Sequence, residues 1–420
     1  MGEDGKAPGR REVMRLGLAA TGAVALGTQP AAADPRNLPP NVPPWSKGLG
    51  VGVGSAPYGR PSPHEDHVVR RTVSWLTATP HSSVSFTPLQ ALHGTVTPNG
   101  LVFERHHAGY PLIVPEDHRL MIHGLVERPL ILTMAELARF PSVSRLHFIE
   151  CTSNTGMEWR GAQMNAVQFT HGMLSCCEWT GVRLATLLAE CGVRPQAKWL
   201  LLEGADAAGM TRSLPIGKAL DDTIIAWAMN GERLRPENGY PVRAVVPGWE
   251  ANLWVKWLRR IELGDQPWHS REETSKYTDL MPDGKARQFT FVMEAKSVIT
   301  DPCPENPLSE HGFRMIGGIA WSGNGKIARV DVSVDGGRNW RPAELEQPIL
   351  DRCLTRFRMP WRWTGEEAVL MSRAVDETGY VQPSIAELRR VRGLNSVYHN
   401  NAIQAWHVSP AGKVDNVQLG

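Results

Sequence analysis

Short apolar runs broken by turn residues occupy most of the chain, and their spacing changes near residue 285. Before that point a few helical stretches interrupt them. In 144–151, Leu146, Phe148 and Ile149 follow Val143 and read as a buried strand ending at Cys151. Across 181–191, Val182, Leu184, Leu187 and Leu188 recur at helical spacing, and Gly192 supplies a stop. Residues 222–229 fit a strand or a buried helix equally well. Beyond 285, Arg329-Val330-Asp331-Val332-Ser333-Val334 alternates apolar and polar positions before the tight turn Asp335-Gly336-Gly337, and Phe357, Met359, Trp361 and Trp363 alternate again. Repeated short strands with glycine turns predict a separate β-sandwich over 287–410. No internal repeat is present, and no G-x-G-x-x-G follows a strand, so a dinucleotide-binding fold has no support.

Composition sharpens this picture. At 420 residues the chain is long enough for two domains, and 42% hydrophobic with 21% charged residues is a globular balance. The 40 Gly, 32 Pro and 15 Trp favour a loop-rich, strand-containing fold over a helical bundle. A net charge of +2 gives no case for nucleic acid as a partner. At the N-terminus, Arg10-Arg11-Glu12-Val13-Met14-Arg15 precedes a modest apolar run and then Ala31-Ala32-Ala33. This is the pattern of a cleaved twin-arginine signal over 1–33, which predicts export to the periplasm in the folded state. The run is too short and too rich in small residues to predict a membrane span. Residues 34–67, rich in Pro and Gly, read as an irregular arm.

Six cysteines are present, none in a Cys-x-x-Cys pair, which excludes a zinc ribbon, a covalently attached haem and a cysteine-only iron–sulfur motif. A lone cysteine is more often a small core residue than a ligand. Cys151 differs in context: it ends an apolar strand, and the small polar Thr152-Ser153-Asn154 follow. Three further segments place basic or amide donors beside Gly or Pro bends. They are Phe103-Glu104-Arg105-His106-His107, Asn238-Gly239-Tyr240-Pro241-Val242-Arg243, and Val246-Pro247-Gly248-Trp249-Glu250-Ala251-Asn252-Leu253-Trp254-Val255-Lys256-Trp257. Arg and Lys there suit a bound phosphate, although each taken alone could be solvated surface charge.

Together and in order, these segments resemble the sulfite oxidase family over nearly the whole chain, from about Leu101 to Trp406. The resemblance implies an α+β chain: a mixed α/β molybdopterin-binding domain over 68–286, an immunoglobulin-like dimerisation sandwich over 287–410 and a tail over 411–420. It implies one molybdenum per chain, held by a pyranopterin dithiolene and the Cys151 thiolate, with no haem in this chain. Phe103, Arg105, His106, His107, Ser153, Asn154, Asp222, Asn238, Arg243, Trp254, Val255 and Lys256 become expected cofactor contacts. Cys151, Arg105, Tyr277 and Trp179 become the expected catalytic set, with Trp179 a pocket wall. Glu150-Cys151, Glu237-Asn238-Gly239-Tyr240-Pro241 and Tyr398-His399-Asn400-Asn401 are similar to the sulfane dehydrogenase branch of bacterial thiosulfate oxidation, whose members work with a separate c-type cytochrome subunit.

The chain also departs from the sulfite-oxidising members. Ser153-Asn154-Thr155-Gly156 stands where the family commonly has Gly-Asn-Arg-Arg. Asn238 replaces a histidine and Leu253 an arginine. Fewer cations weaken a site for free sulfite, a small dianion, and favour a sulfur atom presented on a carrier protein. Arg160 is close enough in sequence to restore a charge. Free sulfite with cytochrome c as acceptor is the alternative. The C-terminal sandwich argues against a methionine sulfoxide reductase of the same cofactor class, and a cofactor-free binding protein is the rival from outside enzymes.

Overall fold

A computed structural model describes residues 49 and 58–419. The signal at 1–33 and most of the arm at 34–67 lie outside the described residues. Contacts separate 1–63 from 64–420, and the second unit contains all the elements below.

The first half of that unit holds two five-stranded sheets. Their strands are β1 (Arg119–Gly124), β2 (Leu130–Thr133), β3 (Ser142–Glu150), β4 (Leu174–Arg183), β5 (Trp199–Gly204), β6 (Thr211–Pro215), β7 (Ile224–Met229), β8 (Glu232–Arg233), β9 (Arg243–Val245) and β10 (Leu258–Gly264). One sheet runs β8-β7-β4-β3, with β9 also on β7; the other runs β2-β1-β10-β5-β6. Helix α1 (Leu184–Cys191) buries Leu184, Leu187, Leu188 and Cys191 at i, i+3, i+4 and i+7, and Gly192 ends it at φ +66°. The helix begins three residues later than the spacing predicts, because Gly181, Val182 and Arg183 complete β4. A side chain at Gly181 would stand 2.1 Å from the Ile225 carbonyl oxygen, so only glycine permits this close strand approach. The ambiguous run at 222–229 is a strand, because β7 pairs with β4, β8 and β9.

The second half is a sandwich. Its strands are β11 (Lys296–Asp301), β12 (Gly312–Trp321), β13 (Ile327–Ser333), β14 (Arg341–Pro342), β15 (Glu344–Leu345), β16 (Thr355–Trp363), β17 (Ala368–Asp376), β18 (Ala405–Val408) and β19 (Val414–Val417). They form the sheets β11-β12-β16-β15 and β14-β13-β17-β18-β19. In β16, Phe357, Met359, Trp361 and Trp363 point inward and Arg358, Pro360 and Arg362 outward, as their alternation predicts. Helix α2 (Ile385–Arg392) joins β17 to β18 behind a Ser384/Glu387 capping box. The stretch expected to be a C-terminal tail, 411–420, instead supplies β19, paired along β18.

Two large apolar cores result, with a small third cluster of Trp159, Ile385, Leu388 and Ala402 among the described residues. The first is packed by residues such as Leu187, Leu202, Ile225 and Ile261. The second, inside the sandwich, also takes in Phe148, Leu174 and Cys176 from β3 and β4. Strand β3 therefore faces both: Ile149 packs into the first core and Phe148 into the second, the period-2 alternation of a strand buried on two sides. Its C-terminal end is fixed from both faces, and that end carries Cys151.

Candidate active site: a thiol facing a cationic wall

Cys151 follows β3 directly and lines a half-open cavity together with Arg105, Arg243, Lys256 and Tyr277. Its N–H donates to the Met173 carbonyl at 3.0 Å, and its carbonyl accepts from Asn154 N–H at 2.9 Å. Thr155 then turns the chain with φ +60°, a left-handed conformation costly for a β-branched residue. Burial pushes the Cys151 thiol up, while the Ser153 N–H and hydroxyl and the Arg105 charge favour the thiolate. Of the six cysteines, Cys151 alone lines this cavity.

The opposite wall is cationic. Arg243 on β9 is buried; its Nη1 donates to the Asn238 carbonyl at 2.8 Å and its Nη2 to the Trp254 carbonyl at 2.9 Å. Its guanidinium lies 5.0 Å from the Trp179 ring centroid. Burial pulls its pKa down to about 9. Lys256 donates to the carbonyls of Arg105 (3.2 Å) and Glu237 (3.0 Å) and to His106 Nδ1 (3.1 Å). That contact makes Nδ1 the acceptor, so His106 Nε2–H donates to Glu104 at 2.9 Å. Burial, and then Arg243, pull Lys256 down to about 7. His107 keeps an exposed face, yet desolvation of its ring and then the charges of Arg105 and Lys256 pull it down to about 4. Every hydrogen bond of Arg243 and Lys256 thus ends on a neutral acceptor.

This wall is short of partners in a way that fits the cofactor implied by the fold. Asn238 and Asn252 line the cavity, and their buried amide oxygens accept no hydrogen bond. Buried polar atoms are rarely left so, and a pterin carries the N–H groups to meet them. Its phosphate, in turn, suits cations held only by neutral acceptors. Gly239, at φ +109°, brings the Asn238 loop close: a Cβ there would stand 3.1 Å from Lys256 Cβ and 3.2 Å from Arg243 Cβ. Among the described residues no cluster of three or more His, Cys, Asp or Glu could cage a metal, so further ligands would have to come from a bound group.

The structure brings together most of the residues singled out from sequence. Phe103, Arg105, His106, His107, Cys151, Asn238, Arg243, Trp254, Val255, Lys256 and Tyr277 all line the cavity. Four lie elsewhere. Ser153 lines a neighbouring apolar cavity that shares Arg105 with the first. Asn154 is a brace, bonded to Glu150 and to Met173 N–H. Trp179 is fully buried behind Arg243 and Trp254, its indole donating to the His147 carbonyl. Asp222 is removed from the cavity, ion-paired with Lys218 at 2.8 Å and Arg352 at 2.9 Å. Arg160 does not restore the missing cation, for it is exposed and donates to the Leu394 carbonyl.

Tyr277 sits at φ +49°, with its ring 5.1 Å from that of Tyr398 and with the Arg212 guanidinium 5.3 Å from its centroid. Burial raises its phenol, so it stays protonated and able to donate. Asp206, Glu237, Asn252 and Lys296 were not among the expected site residues, although the segments quoted above run through Glu237 and Asn252. Lys296 carried a detectable signal, a lone cation opening the apolar strand Lys296-Ser297-Val298-Ile299.

Comparison with known proteins agrees with this geometry. Residues 107–272 match an oxidoreductase molybdopterin binding domain and 287–406 a Mo-co oxidoreductase dimerisation domain. Sulfite oxidase of Gallus gallus is 32% identical over 343 residues, covering 74% of this chain and 72% of that one. The mitochondrial sulfite oxidase of Mus musculus is 30% identical over 345 residues, covering 75% of this chain but only 61% of the mouse protein. The chain belongs to the sulfite oxidase family. Within it, the crystal structure of the sulfane dehydrogenase SoxCD from Paracoccus pantotrophus contains a chain 53% identical to this one, with a TM-score of 0.89. That match covers 94% of this chain and 100% of the other.

Proposed function

We propose that this cavity holds a molybdenum pyranopterin, that Cys151 is its protein ligand, and that the chain oxidises a sulfur atom carried on another protein. The observation that carries the reading is the pairing of one lone thiol with two buried cations, Arg243 and Lys256, whose hydrogen bonds all go to neutral acceptors. Arg105, Arg243, Lys256, Asn238 and Asn252 would hold the organic part. When bound, such a group supplies two-electron oxygen-atom transfer to sulfur, the oxygen coming from water.

The protein supplies placement, charge and hydrogen bonds. Arg105 lines both cavities and stands close enough to Cys151 to favour its thiolate. It can therefore grip an oxygen developing on the substrate sulfur. The protonated Tyr277 is a second donor, its ring held between Tyr398 and Arg212. Arg243 holds its charge in a low-dielectric wall, where an anion gains most from it, and a bound anion would draw Lys256 beside it to the charged form.

The neighbouring cavity favours a carrier-borne sulfur over free sulfite. It meets the first at Arg105 and is lined by Phe86, Met157, Met164, Phe169 and Met173. A hydrated dianion gains nothing from such walls, whereas a polypeptide bearing a sulfur does. An external c-type cytochrome is the electron acceptor in this reading. The sandwich pairs two copies, the twin-arginine run sends the folded chain to the periplasm, and no helix among the described residues is long and apolar enough to cross a membrane. The test is metal and pterin content of natively matured protein, followed by steady-state rates on sulfite and on a protein-bound sulfane. About one molybdenum per chain and the faster rate on the bound sulfane are expected. Protein without molybdenum sinks the reading, and a faster rate on sulfite transfers it to the sulfite-oxidising alternative.

A further inference from the structure

The residue before the candidate ligand is a fully buried carboxylate. Glu150 Oε1 accepts from Lys296 Nζ at 2.9 Å and from Asn154 Nδ2 at 2.9 Å, and its Oε2 accepts from the Trp321 indole at 2.6 Å. Lys296 opens β11 and Trp321 closes β12, so both partners come from the sandwich. Lys296 also donates to the Thr155 hydroxyl at 2.8 Å.

A second piece of chain reaches the same loop. His399 N–H donates to the Thr152 carbonyl at 2.7 Å, and Asn400 Nδ2 to the Thr155 carbonyl at 3.1 Å. The Trp159 indole donates to the Tyr398 carbonyl at 3.2 Å. The loop is thus tied at 150, 152 and 155 to groups contributed from beyond residue 295. Packing alone does not require this arrangement. Two buried charges cost desolvation that an apolar pair of the same volume would avoid, so a pair kept here points to geometry rather than stability. The strained Thr155 needs surroundings that over-determine it, and Lys296 and Asn400 are those surroundings.

We infer that Lys296 and Glu150, with the segment at 398–400, are positioning residues that fix the direction in which the Cys151 sulfur points, so that the sandwich completes the active site as well as packing beside it. The inference rests on Cys151 being the metal ligand. Groups behind a ligand orient it, and losing one changes affinity or activity by about tenfold or more.

The test uses Lys296→Met, which keeps length and removes charge, in the full natively matured chain. Three quantities are read: amide exchange over 151–156, the thiolate-to-metal absorption band, and kcat with KM. The expected result is exchange at Asn154, Thr155 and Gly156 faster by about tenfold beyond whatever acceleration global destabilisation brings to β13 and β17, a displaced band, and a kcat lower by about tenfold with KM little altered. Wild-type exchange, band and kcat in a folded variant overturn the inference. So does uniformly faster exchange with an unmoved band, which is simple destabilisation. If Lys296→Met does not fold, Thr155→Val removes the hydroxyl that Lys296 binds and is read in the same way. Exchange in cofactor-free protein separates the two claims, because the brace is visible there even if Cys151 proves to hold no metal.

Discussion

Behind Cys151, Glu150 accepts three hydrogen bonds and Lys296 donates two, and each charge finds its opposite within the protein. Across the cavity, Arg243 and Lys256 donate only to neutral acceptors, and the Asn238 and Asn252 oxygens accept nothing. Both regions bury charge beside the same cavity. The first is internally complete and therefore acts as scaffold. The second is complete only when an anionic, N–H-bearing guest arrives, so its stability is linked to ligand binding. A buried polar network that closes on itself holds geometry; one that does not is a binding site.

The most severe way to break this contrast is at the thiol that joins the two regions. Cys151→Ser is expected to abolish turnover while leaving the melting temperature within about 2–4 °C of wild type, read by cytochrome c reduction and circular dichroism. Retained activity would end the ligand assignment. On the open side, Arg243→Met should lower molybdenum and pterin content by about tenfold or more, measured by metal analysis. Removing a cation that lacks an anionic partner should also stabilise the cofactor-free chain, because its burial is then uncompensated. On the closed side, Glu150→Gln or Lys296→Met alone should cost about 3–5 kcal/mol, measured by urea unfolding. The double variant should cost less than the sum of the two, and strict additivity would show that the pair is not coupled.

Glu250 sharpens the comparison through pH. It is buried beside Asn252, and burial raises its pKa from 4.5 to about 7 against the opposing pull of Arg212. Between those values the folded chain keeps a proton that the unfolded chain has released. Its contribution to stability is therefore present below pH 4.5, declines as pH rises, and is lost above about 7. Glu250→Gln should remove that decline and stabilise the cofactor-free chain at pH 8 by about 3 kcal/mol, as read from unfolding curves at pH 5 and pH 8. The smallest effect is expected at Asp222, which does not line the cavity and is paired with Lys218 and Arg352. Asp222→Asn should leave molybdenum content unchanged and destabilise less than the Glu150 and Lys296 changes, because burial already works against the Asp222 charge. A loss of cofactor there would return Asp222 to the site.

Alternation by itself determined much of this protein. Phe357, Met359, Trp361 and Trp363 announced a sandwich strand because a strand buried on one face must repeat every second residue. The run into Cys151 was legible because β3 is apolar on both faces. Donors beside Gly and Pro bends marked the cofactor wall, since Gly239 must bring its backbone close and Arg243 and Lys256 must supply charge. The start of α1 was not legible, because Gly181 looks the same in a helix and in a tight strand crossing until the Ile225 carbonyl is in place.

Only the tertiary structure decided which charges close on themselves. Glu150 and Lys296 are 146 positions apart, and Thr155 and Asn400 are 245. No local pattern encodes such pairings; they arise when the sandwich packs on the outer face of β3. Contacts remote in sequence also set Trp179 behind the wall, paired Asp222 with Arg352 and gave His399 its place against Thr152. Sequence determines which side chains can bear charge, and folding decides whether a charge meets its opposite or is left for a ligand, because that depends on distances between segments remote along the chain.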